Sequence, residues 1–258
     1  MRELKVLELF SGTRSISKAF ERHGHKTFCV DWNEDFQADL HMDIEKLTAD
    51  MVLSNFGRPD VCWVSSDCAT YSVQAISKHR RKNKDTGNLD PISDKAMKAD
   101  RTNLHVIRLL VELSPPLIFW ENPRAGLRKM AFMAWMPRYT VSYCQYQKEL
   151  PIELRRQKPT DIFTNAPNPG FRPMCKSGDP CHVRAPRGSR TGTQGLKIVD
   201  KYRIPEDLCE HIVDISEDYI QRIDKANEYL VKQGLKPITA HWGEDNEPPQ
   251  EPQMRLSL

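Results

Sequence analysis

The sequence predicts an α/β fold built on a mostly parallel β-sheet, and two observations carry this prediction. Short apolar runs typical of buried strands alternate with longer amphipathic segments over residues 1–165. The chain has 258 residues, of which 39% are hydrophobic, so it is long enough to bury one sizeable core. Strands that alternate with helices favour parallel pairing, because each helix returns the chain to the same end of the sheet.

Each element follows from a local pattern. Apolar runs predict strands at Lys5–Phe10, Thr27–Asp31, Val61–Ser65, Leu117–Trp120, Tyr139–Tyr146 and Asp161–Thr164. A helix is predicted from Ser93, its N-cap, to Leu113, with an apolar stripe at Leu104, Ile107, Leu110 and Val111. Pro115 and Pro116 end this helix. Periodicity returns at Pro205–Val213 and in a helix over Ser216–Lys232.

Composition excludes several protein classes. No apolar run approaches the roughly 20 residues that a membrane helix needs, and the first residues lack the pattern of a secretory signal. We therefore expect a protein of the cytoplasm, bacterial or that of a phage-infected host, without a membrane partner. Its seven cysteines are then thiols, metal ligands or nucleophiles before disulfides.

The chain divides into four predicted parts. Residues 1–165 form the α/β domain, 166–200 a small segment rich in Pro and Gly, 201–242 C-terminal helices that pack back on the domain, and 243–258 a disordered tail. Net charge is only +3, but residues 148–203 hold twelve Lys or Arg against five Asp or Glu. A second cluster, Lys78–Lys84, has five cations in seven positions. Either cluster alone is commonly a solvated loop, whereas two favour a polyanionic partner.

A nucleoside site is predicted at the ends of the first strands. The turn Phe10, Ser11, Gly12 and Thr13 opens a helix whose N-terminus offers free N–H groups. Asp31 ends the second strand, where a carboxylate can accept hydrogen bonds from ribose hydroxyls, and the Trp32 ring can stack on adenine. Asp43 and Ile44 form an acidic loop suited to the adenine amino group. Each feature alone is equally typical of a turn or a surface carboxylate.

A catalytic centre is predicted beside that site. Cys68 lies in a turn that begins at Ser65, directly after a buried strand. Glu121-Asn122 ends the next strand. The carboxyl ends of parallel strands line one crevice, so thiol and acid should meet there. Cys29 and Cys62 lie within apolar runs and are expected to be inert core residues. A thiol with a carboxylic acid suggests covalent catalysis on an electrophilic ring.

These motifs, in this order, resemble the DNA (cytosine-5)-methyltransferases, especially compact stand-alone members from bacteriophages and prophages. The matching segments are LELFSGTRS, VDWNEDF, MDI, the Cys68 segment, ENPR, RRQKPTDIFTN and RIP, over about residues 4–213. The resemblance implies a Rossmann-like sheet that binds S-adenosyl-L-methionine, with the small basic insertion as a minimal target-recognition region. It places Lys158 nearest the first arginine of the family's Gln-x-Arg-x-Arg strand.

The resemblance also implies a reaction. Cys68 would attack C6 of a flipped cytosine, Glu121 would stabilise the adduct at N3, Asn122 would orient the loop, and C5 would take the methyl group. The implied partner is double-stranded DNA, bound by a monomer. The expected DNA contacts are Lys78, Arg80, Arg81, Lys82, Arg124, Arg187, Arg190 and Thr191.

Three departures from the family pattern leave alternatives open. Asp67 stands where the family has proline, Arg14-Ser15 replaces a small pair, and the recognition segment has only about 35 residues. The same chemistry on structured RNA, or a non-catalytic nucleic-acid-binding module, therefore remain alternatives. The transferred group is also open, because only the product's mass distinguishes a plain methyl.

A structural zinc site is a separate prediction. Three thiolates and an imidazole suit tetrahedral Zn²⁺, and Cys144, Cys175, Cys181 and His182 lie around the Pro- and Gly-rich segment. The alternative is a set of unconnected thiols, since the Cys-x5-Cys-His spacing is not that of a standard zinc knuckle. Cys209 and His211 are substitute ligands.

Overall fold

The computed structural model describes residues 1–176, 178–184 and 198–238. The strands are β1 Lys5–Leu9, β2 Lys26–Asp31, β3 Leu40–His41, β4 Val61–Val64, β5 Arg80–Lys82, β6 Leu89–Pro91, β7 Leu117–Pro123, β8 Arg138–Ser142 and β9 Pro159–Thr164. The helices are α1 Ser15–Arg22, α2 Ala49–Asn55, α3 Ile76–His79, α4 Asp94–Leu113, α5 Ile198–Tyr202 and α6 Glu206–Lys232. Five short 3-10 turns, including Tyr143–Tyr146, join them.

Seven strands form one sheet in the order β3-β2-β1-β4-β7-β9-β8. Neighbours from β3 to β7 run parallel, whereas β9 runs antiparallel to both β7 and β8. The predicted α/β fold with a mostly parallel sheet is therefore confirmed. Strands β5 and β6 form a separate antiparallel hairpin.

Alternating side chains divide the core between the two faces of the sheet. Leu7 and Leu9 of β1 pack into one cluster with α2 and α4, and Val6 packs into the other with α1 and α6. This alternation follows from the two-residue repeat of a strand. Because strands of a parallel sheet are covered on both faces, they are almost wholly apolar, as in Val61–Val64.

Three predicted elements need correction. The apolar stripe of α4 is wrong at Leu104 and Val111, which are about half exposed, because the helix turns Val106, Leu109 and Leu113 inward. The predicted strand Tyr139–Tyr146 ends at Ser142 and continues as a 3-10 turn. The last helix is continuous over Glu206–Lys232 rather than beginning at residue 216.

A buried carboxyl group joins β1 to α1. The Ser17 N–H and hydroxyl donate to Glu8 Oε2 at 2.8 and 2.5 Å. Burial raises the pKa of Glu8 to about 7, although these hydrogen bonds oppose the rise. The contact fixes the helix whose first turn faces the candidate cofactor loop.

Among the described residues, no helix combines the length and apolar character that a bilayer crossing demands.

Candidate active site

The turn after β1 has an unusual backbone. Phe10, Gly12 and Arg14 all have positive φ, at 58°, 48° and 55°. A Cβ added to Gly12 would meet nothing within 4 Å, so this glycine faces open space. The left-handed conformation is what favours glycine there.

The turn is tied to the end of β2. Gly12 N donates to Asp31 Oδ2 at 2.8 Å, and Asn33 N donates to Asp31 Oδ1 at 2.9 Å. Asp31 is buried, whereas the neighbouring Trp32 side chain is 70% exposed. The predicted ribose acceptor and the predicted stacking ring therefore lie at the same strand end as the glycine turn.

The other predicted cofactor residues occupy the same edge. Asp43 caps a 3-10 turn through Glu45 N at 3.1 Å and pairs with Lys98 at 3.2 Å, and the backbone hydrogen bond to Glu45 leads the causes that lower the pKa of Asp43. Ile44 is buried in the core. Ser65 Oγ accepts a hydrogen bond from the indole of Trp63 at 2.7 Å.

One direct observation at this edge is compatible with the S-adenosyl-L-methionine that the family resemblance implies. Ser11 Oγ is buried and has no hydrogen-bond partner within the described residues. Buried hydroxyl groups are normally satisfied, so an unpartnered one beside an open glycine turn suits a polar ligand. Arg14, an apparent departure from the family pattern, turns away from this space, since its guanidinium donates to Glu21 at 2.5 Å and to Cys29 Sγ at 3.2 Å.

Cys68 lies in the loop after β4 and is half-buried. Burial raises the pKa of its thiol to about 11, and the negative charges of Glu121 and Asp67 add to the rise. The positive charge of Lys158 lowers the pKa of the same thiol. The geometry agrees with these directions, since Trp120 and Asn122, on either side of Glu121, both donate to Ser66 in the Cys68 loop, and Lys158 lies 3.9 Å from Glu121.

Replacing Asp67 by asparagine tests this electrostatic arrangement. Asp67 Oδ1 accepts a hydrogen bond from Ala69 N at 2.8 Å, and an amide oxygen can keep that bond. Since the thiolate is the nucleophile, Asp67→Asn should lower the pKa of Cys68 and speed its alkylation. We expect a rate roughly two- to fivefold higher at pH 8, because an exposed charge interaction is worth about 1 kcal/mol or less.

The measurement is the rate of iodoacetamide labelling of the Cys68 peptide, followed by mass spectrometry across pH. Labelling of the unmodified chain should climb about tenfold per pH unit, because the thiolate fraction does so below the pKa. Asp85→Asn, which removes an exposed carboxylate from the β5–β6 hairpin, is the control. Equal rates in Asp67→Asn and the unmodified chain would show that Asp67 does not act on the thiol.

Glu121 is held by two groups from neighbouring elements. The Tyr143 hydroxyl donates to Glu121 Oε1 at 3.1 Å, and Lys158 Nζ lies 3.9 Å from the same oxygen. Lys158 also lies over the Tyr143 ring, 4.5 Å from its centre. Because β9 is antiparallel to β7, the start of β9 brings Lys158 to the carboxyl end of the parallel strands.

The end of β7 also fixes the loop that carries Cys68. Trp120 Nε1 donates to Ser66 Oγ, and Asn122 Nδ2 donates to Ser66 O, both at 3.0 Å. Asn122 Oδ1 is buried without a hydrogen-bond partner in the described part of the chain. A second contact follows at Gly126, whose N–H donates to Tyr71 O at 2.8 Å, and a Cβ there would lie 2.9 Å from that oxygen.

Arg80 is not the surface cation that the sequence predicts. Its side chain is fully buried, pairs with Asp100 at 2.7 Å and stacks 3.9 Å from the centre of the Tyr71 ring. It also donates to Thr70 O at 3.2 Å. Since no phosphate can reach a buried guanidinium, the prediction of Arg80 as a DNA contact is corrected: it anchors the Cys68 loop to α4.

The other described cations of the predicted DNA-binding set face solvent. Lys78, Arg81, Lys82 and Arg124 are exposed. Arg124 Nη1 lies 3.3 Å from Met174 Sδ. This contact places Arg124 beside the predicted Pro- and Gly-rich segment 166–200, called the basic segment below. The predictions for Arg187, Arg190 and Thr191 fall outside the described residues.

Two tyrosines of the site were missed. Tyr143 lies in an apolar run, and nothing in its spacing marks it as a partner of Glu121. Tyr202 is more than half exposed; burial raises the pKa of its hydroxyl, and the negative charges of Cys68, Asp67 and Asp31 raise it further. Its position directly before the Arg203-Ile204-Pro205 motif is a signal that could have identified it.

The chain is similar to one curated protein over most of its length. The probable DNA (cytosine-5)-methyltransferase of frog virus 3, isolate Goorha, is 28% identical over 229 residues, covering 82% of this chain and 100% of the viral protein. The predicted resemblance to the DNA (cytosine-5)-methyltransferases is thereby confirmed. No protein-family model matches the chain.

Solved structures are similar in part of the fold. A DNA modification methyltransferase from an Escherichia coli prophage is 16% identical over 63% of this chain, with a TM-score of 0.44. The Entamoeba histolytica methyltransferase EhMeth is 15% identical over 65%, with a TM-score of 0.45, and the S. pombe Dnmt2 methyltransferase is 16% identical over 63%, with a TM-score of 0.39. This chain spans about half of each, at 46%, 54% and 49%.

Proposed function

We propose that this protein transfers a methyl group from S-adenosyl-L-methionine to C5 of cytosine in double-stranded DNA. The observation that carries the proposal is geometric: Asn122, next to Glu121, donates to Ser66 O at 3.0 Å and so holds the Cys68 loop at the strand ends that also carry the glycine turn. Similarity to the probable DNA (cytosine-5)-methyltransferase of frog virus 3 supports it. The glycine turn, Asp31, Trp32 and the loop at Asp43 would hold the cofactor, which supplies an electrophilic methyl group when bound.

The thiol performs the first step of the proposed reaction. Cytosine C5 is too weak a nucleophile to take a methyl group directly. A bond from the Cys68 sulfur to C6, with a proton shared at N3, converts the ring into an enamine. Its C5 would then bond to the methyl carbon of the cofactor while the sulfur–methyl bond breaks and S-adenosylhomocysteine leaves. Lys158 favours the thiolate that this attack requires, since its charge lowers the pKa of Cys68. Loss of the C5 proton and of the sulfur restores the aromatic ring.

Glu121 has a defined orientation for the second role. Tyr143 and Lys158 both engage Oε1, so we assign Oε2 to the cytosine N3. A carboxyl group that shares a proton with N3 would draw electron density from the ring and stabilise the adduct. Asn122 would keep the Cys68 loop in place through Ser66.

The substrate base must leave the helix before this chemistry can occur. Unstacking a base costs a few kcal/mol. The exposed cations Lys78, Arg81, Lys82 and Arg124 could offset part of that cost through phosphate contacts. This assignment predicts strong salt dependence of binding and leaves the target sequence open.

The direct test uses cofactor carrying an isotopically labelled methyl group. The purified chain is incubated separately with unmethylated double-stranded DNA and with transfer RNA, and the polymers are digested to nucleosides for mass spectrometry. We expect labelled 5-methyldeoxycytidine from DNA alone. Label found only in RNA would show that RNA, and not DNA, is the substrate. A product mass other than that of one added methyl group would show that a different group is transferred. Absence of label from both polymers would contradict enzymatic methyl transfer.

A further inference from the structure

We propose that Cys144, Cys175, Cys181 and His182 bind one structural Zn²⁺ ion. The four ligand atoms all lie within 4.8 Å of one another, although they come from distant parts of the chain. Cys144 Sγ lies 3.2 Å from Cys175 Sγ and 3.6 Å from Cys181 Sγ. His182 Nδ1 lies 3.3 Å from Cys181 Sγ and 3.9 Å from Cys175 Sγ.

These separations lie near those of a tetrahedral zinc centre, so small side-chain movements would complete it. Zn–S bonds of about 2.3 Å and Zn–N bonds of about 2.0 Å place two sulfurs about 3.8 Å apart and a sulfur about 3.5 Å from a nitrogen. A disulfide would need sulfurs about 2.05 Å apart, so the observed separations do not describe a disulfide. Three thiolates with one imidazole are soft ligands, which favour zinc over magnesium or calcium.

The surrounding chain explains why an ion would be needed. Over the described residues 165–176 and 178–184 there is no helix or strand. Close to the cluster, Cys175 N donates to Ser142 Oγ at the end of β8 at 3.1 Å, and Gln157 Nε2 donates to Cys175 O at 3.4 Å. A segment without helix or strand lacks the repeated backbone hydrogen bonds of those elements, and metal binding can supply stability in their place.

The ligands also connect the basic segment to the reactive edge of the sheet. Cys144 directly follows Tyr143, whose hydroxyl orients Glu121. Cys175 directly follows Met174, which contacts Arg124. A bound ion would therefore fix both the basic segment and Tyr143, the hydrogen-bond partner of Glu121, with one set of bonds. The effect of the ion on methyl transfer rests on the proposed function, whereas the binding of the ion itself does not.

The test measures metal in the full chain purified under reducing conditions with zinc in the growth medium. We expect one zinc ion per chain by native mass spectrometry and by elemental analysis. Cys181→Ser, at the half-buried ligand, should reduce the content to less than about one tenth of an ion per chain. Cys68→Ser removes a thiol outside the cluster and should retain one ion. Cys181→His, which restores a ligand, should retain more metal than Cys181→Ser.

Cobalt provides a reading that does not depend on the variants. After zinc is removed by a chelator, Co²⁺ should produce the visible absorption of a tetrahedral site together with a thiolate-to-cobalt band. A chain that purifies without zinc and gives no such spectrum would overturn the proposal, as would Cys181→Ser retaining a full ion. A mass lower by two hydrogens in the metal-free chain would assign the cluster to a disulfide instead. Since these readings are taken without nucleic acid, they remain separate from the test of methyl transfer.

Discussion

Cys68→Ala is expected to abolish methyl transfer, with kcat lower by more than about 10⁴-fold, because no other group can form the bond to cytosine C6. The measurement is single-turnover transfer of a labelled methyl group to DNA. Cofactor binding should be preserved, since the glycine turn and Asp31 lie outside the Cys68 loop. Cys209→Ala is the matched control, because it removes a thiol buried in α6 and should keep kcat per folded molecule.

A trapped complex distinguishes covalent catalysis from a structural role of the thiol. If C5 carries fluorine, the last step cannot occur, because fluorine cannot leave as a cation where a proton would. DNA containing 5-fluorocytosine should therefore become covalently attached to the unmodified chain and survive denaturing electrophoresis. Cys68→Ala should give no such complex. Full transfer by Cys68→Ala would contradict the proposed mechanism.

Glu121→Gln is expected to lower kcat by about 10²- to 10⁴-fold, the usual contribution of a positioned acid or base. The amide keeps the shape of the side chain and can still accept the Tyr143 hydrogen bond, but it cannot deliver a proton to N3. The same change removes a negative charge that raises the pKa of Cys68. Alkylation of Cys68 should therefore become faster while methyl transfer becomes slower.

Thermal stability and cofactor binding make the Glu121 prediction specific. An opened site would also expose the Cys68 thiol and lower its pKa, so both properties should stay unchanged in Glu121→Gln. Glu149→Gln, at an exposed carboxylate among the cations of residues 148–203, should change neither the alkylation rate of Cys68 nor the rate of methyl transfer. Unchanged methyl transfer in Glu121→Gln would remove this carboxyl group from the proposed mechanism.

The sequence was sufficient for the main architecture and for the edge at which the site forms. The alternation of strands and helices predicts which strand ends meet. The sequence alone therefore predicts that Cys68, Glu121 and Asp31 lie at one edge of the sheet. The direction of β9 could not be derived from alternation, because that depends on pairing between strands distant in sequence. The placement of Lys158 came only from the family resemblance.

Side-chain partners were the part that local patterns could not supply. Five cations in seven positions gave no indication that Arg80 alone turns inward, since its partner Asp100 lies in a separate helix. Tyr143 was missed because its role depends on Glu121, 22 residues earlier in the chain. The cysteine and histidine set was identified by chemical type, but its convergence depends on the path by which Cys175 returns to the end of β8.

The reversed direction of β9 determines where this chain can change in length without disturbing its chemistry. After Lys158 the chain runs to the opposite edge, where Asn165 bonds to the backbone at the start of β7, and it returns before Cys175. Extra residues inserted at 167–169 would lengthen only the return path. The same insertion within 147–157 would act directly on the position of the Lys158 ammonium. Evolutionary expansion of the basic segment is therefore least constrained on the side of the molecule farthest from the reacting base.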